Sequence, residues 1–213
     1  MYKSVTAKKK LIIFDMDGTL VDSSITIANA INYVRANLGF EAMDKAYILK
    51  YVNEPDINPA QFFYHAKAFD RDHEKWFSEY YSKNHDQELV LYEGIKALLE
   101  NLKSKGYLIA VATNAYRKST LESLGHLNIL QLFDAIGCHD DVPLGKPAPD
   151  MLYKVMDELG VGVRESIFIG DGPRDELAAK KCDMDYVMVE WGFTDHSDAV
   201  RSVVELEALL EYV

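Results

Sequence analysis

Short apolar runs alternate along this chain with stretches in which apolar residues recur at helical spacing. This alternation is typical of βαβ units, in which helices connect the strands of a mainly parallel sheet. The predicted strands are Leu11–Phe14, Tyr107–Ala112, Ala135–Cys138, Ser166–Ile169 and Tyr186–Val189. The predicted helices that follow the strands are Glu93–Ser104, Tyr116–Leu124, Pro149–Leu159, Pro173–Cys182 and Asp198–Leu210. The pattern therefore predicts an α/β fold.

Residues 22–90 interrupt the alternation. They contain half of the aromatic residues of the chain, a single glycine (Gly39) and no predicted strand. Four helices are predicted here, with a turn-rich break at Asn53–Pro59: Ser23–Leu38, Met43–Val52, Pro59–Phe69 and Asp72–Asn84. We therefore expect a Rossmann-like, mainly parallel sheet core of residues 1–21 and 91–213, with an all-helical cap subdomain of residues 22–90 inserted after the first strand.

The composition excludes several classes of protein. Of the 213 residues, 48% are hydrophobic, which suits a packed core, and the formal net charge is −11. So acidic a chain lacks the cationic surface that nucleic acids and anionic membranes attract, and we expect neither as a partner. No apolar run approaches the roughly 20 residues of a membrane span, and LIIF is too short for a signal peptide. We therefore expect a cytoplasmic protein.

Two further sets of residues are interpreted as structural. Cys138 and Cys182 lie in no CxxC motif and near no paired histidines, so we expect free thiols rather than a disulfide or a zinc site. The basic segment Lys8–Lys10 precedes the first strand, and we expect it to be a solvated edge. The sequence does not decide between a monomer and a dimer.

Polar residues directly follow three of the predicted strands, and a lysine lies in the loop after a fourth. They are Asp15 and Asp17 after LIIF, Thr113 after IAVA, Lys146 after Ala135–Cys138, and Asp171 and Asp175 after SIFIG. Residues just beyond the carboxyl ends of parallel strands face one crevice of the sheet. We therefore expect four carboxylates, a hydroxyl and an ammonium group to converge there.

Each of these residues has a structural interpretation when it is considered alone. Asp17 with Gly18 suits a simple turn, and Thr113 suits a strand as a β-branched residue. Asp171 suits the cap of the following helix, and Asp175 complements the dipole of that helix. These interpretations do not explain why the acidic residues occur together.

A cluster of carboxylates requires a cation. Two carboxylates about 4 Å apart repel by roughly 4 kcal/mol at an effective dielectric constant of about 20. The candidate ligands are all oxygen atoms, without Cys or His, so Mg²⁺ suits them better than zinc. Lys146 supplies a second, fixed positive charge. The sequence therefore predicts a pocket for a phosphate dianion.

In their order along the chain, these segments resemble the signature of the haloacid dehalogenase-like (HAD) phosphohydrolases. DMDGT resembles the first motif, Thr113 the second, Lys146 in GKPAPD the third and GDGPRD the fourth. The resemblance covers nearly the whole chain and is closest to phosphoglycolate-phosphatase-like members with a helical cap after the first motif. It implies a Mg²⁺-dependent phosphatase that hydrolyses a small-molecule phosphate monoester, with a phosphoglycolate-like substrate, through an aspartyl-phosphate intermediate.

The resemblance also implies the catalytic pair. Asp15 is the implied nucleophile, which divides the hydrolysis into two displacements. Asp17 is the implied acid and base, which protonates the leaving alkoxide and then deprotonates the attacking water. Haloalkanoate dehalogenases of the family lack this second aspartate, so Asp17 indicates a phosphate ester rather than a halide.

Further residues of the four motifs are implied as binding residues. Thr113, Lys146 and the backbone N–H groups of Gly18 and Asn114 are the implied ligands of the phosphoryl oxygens. Lys146 also neutralises charge during catalysis. The implied ligands of Mg²⁺ are the carboxylates of Asp15 and Asp171 and the carbonyl of Asp17. Asp175 is implied as a further ligand or as a residue that orients the others.

Three departures from the family pattern bear on these expectations. Gly172 occupies a position where relatives often carry Ser or Thr, and Asp183 replaces a usual helix-terminating glycine. Asn53–Pro59 does not match the glycine-rich stretch expected in phosphoglycolate phosphatases, so the identity of the substrate is the part of the resemblance that transfers least. Two alternatives stay open: a sugar-phosphate mutase with the same core, and a non-hydrolytic phosphoryl-switch or binding protein that resembles a receiver domain.

Overall fold

The computed structural model describes residues 8–52, 54, 56–191 and 198–212. Within this part of the chain the strands are β1 (Leu11–Phe14), β2 (Val21–Asp22), β3 (Val90–Leu91), β4 (Leu108–Ala112), β5 (Ala135–Gly137), β6 (Ser166–Gly170) and β7 (Asp185–Met188). Five of them form one parallel sheet in the order β5-β4-β1-β6-β7. The α/β fold predicted from the alternation of runs is confirmed.

Helices connect these strands and surround the sheet. In chain order they are α1 (Ser24–Asn37), α2 (Lys45–Val52), α3 (Pro59–Tyr64), α4 (Arg71–Glu88), α5 (Ile95–Ser104), α6 (Arg117–His126), α7 (Asp150–Leu159), α8 (Pro173–Lys181) and α9 (Val203–Leu210). Across the described residues, every helix is too short or too polar to cross a lipid bilayer.

The central strand β1 is buried on both faces, which explains its unbroken run of apolar residues. Leu11 and Ile13 pack in one cluster with apolar residues of α7 and α8. Ile12 and Phe14 pack in a second cluster with residues of α5, α6 and α9. Successive side chains of a strand point to opposite faces, so this one strand contributes to both cores.

Helices α1 to α4 lie between β2 and β3 in the sequence and have an apolar cluster of their own, composed of Ala28, Ile31, Val34, Ile48, Phe63 and Tyr64. The two-residue strands β2 and β3 pair antiparallel, Val21 with Leu91 and Asp22 with Val90. The sequence pattern predicts no strand in residues 22–90. This expectation is wrong at both ends of that segment, because β2 and β3 form a short antiparallel ribbon there. The division of the chain at residues 21/22 and 90/91 stays a prediction.

Two predicted helices are five residues too long at one end, because the backbone changes direction there. Helix α3 ends at Tyr64 rather than Phe69, since His65 has a left-handed φ of 56°. Helix α9 begins at Val203 rather than Asp198. The residues before it extend the sheet instead, with Val200 bridged to Val189, and the Ser202 side chain caps the helix.

The expected solvated edge at Lys8–Lys10 is wrong at its middle residue. Lys9 is 2% exposed, and its Nζ donates to the Arg164 carbonyl at 2.8 Å and to Asp185 Oδ2 at 2.5 Å. Alternation along an extended backbone turns Lys9 inward, while Lys10 stays exposed and pairs with Glu165. The expectation of free thiols is confirmed, since Cys138 and Cys182 are both unpaired and buried.

Candidate active site

The carboxyl ends of β1, β4 and β6 meet at one edge of the sheet, because the three strands are parallel neighbours. Asp15 follows β1, Thr113 follows β4 and Asp171 follows β6. The Asp15 N–H donates to the Ile169 carbonyl at 2.8 Å, and the Thr113 N–H donates to the Gly137 carbonyl at 3.0 Å. These bonds continue the pairing of the sheet by one residue and hold the backbone beneath the polar side chains.

Asp15, Asp171 and Asp175 form a buried acidic cluster. One carboxylate oxygen of each lies within 4.8 Å of the others, and none of the three residues is more than 7% exposed. Lys146 Nζ lies 2.6 Å from Asp15 Oδ1 and 2.6 Å from Asp175 Oδ1. One ammonium group therefore faces three carboxylates, and the cluster carries an excess of negative charge.

This excess of negative charge changes the protonation of the cluster. Burial raises the pKa of Asp15 well above its usual range, and the charge of Asp175 raises it further against the opposing charge of Lys146. Burial and the charge of Asp175 raise the pKa of Asp171 to about 7. Burial lowers the pKa of Lys146, but the charges of Asp15 and Asp175 outweigh it and leave the pKa of Lys146 raised. The carboxylates would ionise fully only beside additional positive charge.

The cluster fits a hard divalent cation. Its ligand atoms are carboxylate oxygens, the donors that Mg²⁺ prefers. The Thr19 hydroxyl donates to Asp171 Oδ1 at 3.3 Å, which orients that carboxylate. Gly18 has φ +84°, and a Cβ atom there would lie 2.4 Å from Asp171 Oδ2. Glycine thus keeps open the space beside Asp171 and adopts a backbone conformation that other residues rarely adopt.

Thr113 and Asn114 lie at the end of β4. The Thr113 side chain is buried, and its hydroxyl oxygen accepts from the Ala115 N–H at 3.1 Å, so its own proton is available to a ligand. Asn114 contacts the backbone of Lys146 twice: Oδ1 accepts from the Lys146 N–H at 2.8 Å, and Nδ2 donates to the Lys146 carbonyl at 3.0 Å. The Asn114 side chain therefore holds the loop that carries Lys146, a task that the motif alone does not indicate.

Asp17 has different surroundings from Asp15, although the two are separated by one residue. It lies in the turn after β1, where the Gly18 N–H donates to the Val21 carbonyl at 2.9 Å. Burial raises the pKa of Asp17, while the Ser23 hydroxyl and the charge of Lys146 oppose that rise. A raised pKa lets this carboxyl hold a proton at a higher pH than an exposed aspartate does.

A cavity of about 430 Å³ extends from these residues toward the helices of residues 22–90. Asp15, Asp17, Thr113 and Lys146 line its core side. The opposite wall consists of residues of α1, α3, α4 and the segments beside them, among them Ile27, Ile31, Tyr64, Phe69, His73 and Phe77. The helices of the predicted cap therefore cover the acidic cluster and enclose space next to it.

Two polar contacts between the core and these helices were not predicted. Arg174 Nη2, from the first turn of α8, donates to the carbonyl of Glu54 at 2.7 Å and to that of Ile57 at 3.3 Å. The Tyr116 hydroxyl donates to Glu74 Oε1 at 2.9 Å. The partners in each contact are far apart in the sequence, so local patterns do not predict them. The position of Arg174 within GDGPRD is the one feature of the sequence that places any of these residues near the site. Asn53 and Pro55 of the predicted turn-rich break lie outside the described residues.

Comparison with known proteins gives the family. The sequence model of the haloacid dehalogenase-like hydrolases matches residues 12–189. The phosphoglycolate phosphatase of Yersinia pseudotuberculosis is 31% identical over 205 residues, which cover 89% of this chain and 87% of that protein. The phosphoglycolate phosphatase of Pasteurella multocida is 32% identical over 194 residues, which cover 86% and 87%.

A solved structure shows the same fold. The crystal structure of a predicted phosphatase from Clostridium acetobutylicum superposes with a TM-score of 0.86 at 26% identity, over 97% of this chain and 100% of that one. The matched residues 12–189 include all four motif segments and the helices between them. The chain therefore belongs to the haloacid dehalogenase-like hydrolases and is a phosphoglycolate-phosphatase-like phosphatase of that family.

Proposed function

We propose that this phosphatase hydrolyses a small-molecule phosphate monoester in two displacements at phosphorus, with Asp15 as the nucleophile of the first and Mg²⁺ as the cofactor. The observation that carries the proposal is the convergence of Asp15, Asp171 and Asp175 within 4.8 Å, with Lys146 at 2.6 Å from two of them. Such a buried excess of carboxylate is unfavourable by itself and becomes favourable beside a cation and a phosphoryl group.

In the first displacement, a carboxylate oxygen of Asp15 attacks phosphorus and the ester P–O bond breaks. Asp17 gives its proton to the departing alkoxide, so a neutral alcohol leaves. In the second displacement, Asp17 takes a proton from water, the water oxygen attacks phosphorus, and the bond between phosphorus and Asp15 breaks. Phosphate leaves, and both aspartates return to their initial state.

Thr113, Asn114 and Lys146 are the proposed ligands of the phosphoryl group. The Thr113 proton is available for a hydrogen bond, because its oxygen already accepts from Ala115. The proposed contact of Asn114 is its backbone N–H group. The Gly18 N–H, expected from the resemblance to be a ligand as well, already donates to the Val21 carbonyl at 2.9 Å and is not proposed. Lys146 offsets the charge that accumulates on the oxygens during transfer.

The proposed ligands of Mg²⁺ are the carboxylates of Asp15 and Asp171 and the backbone carbonyl of Asp17. Asp175, which pairs with Lys146, is proposed as a further ligand or as a group that orients the others. When bound, the cation supplies charge neutralisation for the phosphoryl oxygens and lowers the repulsion among the carboxylates.

Replacement of the nucleophile tests the proposal. Asp15→Asn replaces the attacking carboxylate with a neutral amide that is a poor nucleophile, and we expect the release of phosphate from an aryl phosphate with Mg²⁺ to fall by at least about 10³-fold. Glu176→Gln, at an exposed residue in the first turn of α8, is the matched control and should keep full activity. Near-normal activity of Asp15→Asn would refute the proposal.

The relatives named phosphoglycolate phosphatases make phosphoglycolate the reference substrate of a wider screen. The same screen tests the mutase alternative with a sugar phosphate. A phosphatase accumulates free phosphate, whereas a mutase interconverts sugar phosphates and releases none. Cytoplasmic location stays a prediction of the sequence, and the oligomeric state stays open.

A further inference from the structure

The cavity beside the acidic cluster is large for a small charged leaving group. Its volume of about 430 Å³ lies within the range of sites that enclose drug-sized ligands, roughly 300–1,000 Å³. Phosphoglycolate carries only a two-carbon acid beyond its phosphate. Such a molecule would leave most of the space between the site and α1, α3 and α4 to water.

The wall opposite the acidic cluster is apolar. It combines aliphatic residues of α1 and α2 with aromatic residues of α3, α4 and the segment between them: Ile27, Ile31, Val52, Tyr64, Phe69 and Phe77. Water against such a wall is displaced favourably by an apolar ligand, in proportion to the apolar area that is buried. The wall therefore favours a hydrocarbon or ring rather than a carboxylate.

The charged residues of this wall already have partners. Glu74 Oε1 accepts from the Tyr116 hydroxyl at 2.9 Å. Arg174 Nη2 donates to the carbonyls of Glu54 and Ile57. Arg174 and Lys146 are the cationic residues among those that line the described cavity, and Lys146 pairs with Asp15. The Nε–H of Arg174 has no hydrogen-bond acceptor within the described part of the chain, and it is a donor that remains for a second anionic group of the substrate.

His73 adds one polar group to the apolar wall. Its Nδ1 accepts from the Asp70 N–H at 3.2 Å in the cap of α4, and its ring stacks on Tyr64 with centroids 5.0 Å apart. The same Nδ1 atom also lies 3.2 Å from Asp70 Oδ1. The buried His73 ring is therefore held by Asp70 and Tyr64, and Nε2 is the ring nitrogen that these contacts do not use.

From this wall we infer that the ester hydrolysed here carries an apolar alcohol about the size of a ring, rather than glycolate. The inference rests on the proposed function, because it requires the cavity to hold the leaving group of an ester attacked by Asp15. The alcohol would occupy the space between the acidic cluster and the wall formed by α1 and α4, while its phosphate faces Lys146 and Thr113.

A series of esters with unactivated alcohols tests the inference. Methyl, butyl and benzyl phosphate differ chiefly in apolar size, so differences in kcat/KM report binding by the wall rather than the reactivity of the ester. We expect kcat/KM to rise along the series and to be at least about tenfold higher for benzyl than for methyl phosphate. We also expect benzyl phosphate to exceed 2-phosphoglycolate.

Variants of the wall test the same point within the protein. Ile27 and the half-exposed Phe69 both line the cavity, so Ile27→Ala and Phe69→Ala should each lower the benzyl-to-methyl ratio of kcat/KM by about three- to tenfold. Ile25 lies on the same helix as Ile27 but is 51% exposed and does not line the cavity. Ile25→Ala is the matched control and should keep the ratio of the unchanged protein.

Two outcomes would overturn the inference, and they are distinguishable. A higher kcat/KM for 2-phosphoglycolate than for benzyl phosphate, lost in Arg174→Met, would show that the site takes a carboxylate while the proposed phosphatase reaction stands. Release of phosphate from none of the esters, by folded protein with Mg²⁺, would refute the proposed function and this inference with it.

Discussion

At the scale of single residues, the structure gives two aspartates of one motif different environments. Asp15 pairs with Lys146 in the acidic cluster, whereas Asp17 lies in the following turn beside Ser23. Burial raises the pKa of both aspartates, and the direct ion pair with Lys146 opposes that rise at Asp15. Different environments let two carboxyl groups of the same type act as nucleophile and as proton donor at one pH. The different roles proposed for Asp15 and Asp17 rest on this difference in surroundings.

The proposed role of Asp17 predicts a dependence on the leaving group. Asp17→Asn should lower kcat/KM for an alkyl phosphate by about 10²–10⁴-fold, because an alkoxide needs a proton to leave. For p-nitrophenyl phosphate the loss should be about tenfold or less, because nitrophenolate is stable without a proton. Equal losses on both substrates, measured by phosphate release, would contradict the role of Asp17 as the proton donor.

The same role predicts a dependence on pH. Because burial raises the pKa of Asp17, the protonated form persists to higher pH than in an exposed aspartate and is lost as the pH rises through that pKa. The kcat/KM for an alkyl phosphate should therefore fall on the alkaline side while that for p-nitrophenyl phosphate falls less. Identical pH profiles for the two esters would count against the assignment.

Lys9 gives a prediction about stability. Its buried ammonium group bonds to the Arg164 carbonyl and to Asp185, so Lys9→Ala should lower the free energy of unfolding by about 1–3 kcal/mol. Lys10→Ala removes an exposed pair with Glu165 and should change the free energy of unfolding by about 0.5 kcal/mol or less. Denaturation in urea measures both, and equal effects would contradict the structural role of Lys9.

At the scale of secondary-structure elements, α8 connects the acidic cluster to the helices that cover it. Asp175 and Arg174 are adjacent in its first turn: one pairs with Lys146, and the other donates to the carbonyls of Glu54 and Ile57. A planar guanidinium group reaches two carbonyls at once, which an ammonium group does less well. This single helical turn therefore couples the chemistry of the site to the position of the segment between α2 and α3.

That coupling predicts an effect of Arg174→Lys on substrate binding. Loss of the two carbonyl contacts should let the segment between α2 and α3 move away from the cavity. We expect KM for an ester to rise by about three- to tenfold with a smaller change in kcat, since Asp15 and Lys146 are untouched. Steady-state kinetics measure this, and an unchanged KM would show that the contact does not position the segment.

The end of α8 gives a second prediction at this scale. Asp183 has a left-handed φ of 55°, at the position where the family usually has glycine. Asp183→Gly should raise the free energy of unfolding by about 0.5–1 kcal/mol, because glycine adopts this conformation without strain. Gly160 ends α7 with φ 64°, and a side chain there would point into open space. The reverse change, Gly160→Asp, should therefore lower that free energy by a similar amount through backbone strain alone, and urea denaturation measures both variants.

At the scale of the whole molecule, the acidic cluster links stability to pH and to Mg²⁺. The pKa of Asp171 is about 7 in the folded chain and near 4 in an unfolded one. Between these values the folded protein binds more protons than the unfolded protein, so without metal its stability should fall as the pH rises from about 4 to 7. Burial raises the pKa of Asp15 as well, which acts in the same direction.

Mg²⁺ should reverse this trend, because its proposed ligands are the ionised carboxylates of the folded chain. We expect Mg²⁺ at about 100 times its Kd to add about 2.7 kcal/mol of stability at pH 8 and much less at pH 5, where the carboxylates hold protons. Thermal unfolding at the two pH values, with EDTA or with Mg²⁺, measures this. Asp171→Asn should lose most of the metal effect, and an equal effect in that variant would place the metal elsewhere.

The local sequence determined the sheet, the strand-end residues and the family. A parallel strand buried on both faces needs an unbroken apolar run, as in Leu11–Phe14, and polar residues at strand ends such as Asp15 and Asp171 meet because neighbouring parallel strands end at one edge. Both signals lie within a few consecutive residues. They are readable without knowledge of distant contacts.

Only the tertiary structure decided what surrounds those residues. The burial of Lys9, the contacts of Arg174 with the carbonyls of Glu54 and Ile57, and the apolar wall around Ile27 depend on segments far apart in the sequence. Whether such a side chain is solvated or paired depends on which distant segment packs on it. The periodicity of the local sequence does not indicate that segment. Short motifs therefore indicate the proposed chemistry, whereas the size and the apolar wall of the cavity arise from packing between helices and sheet.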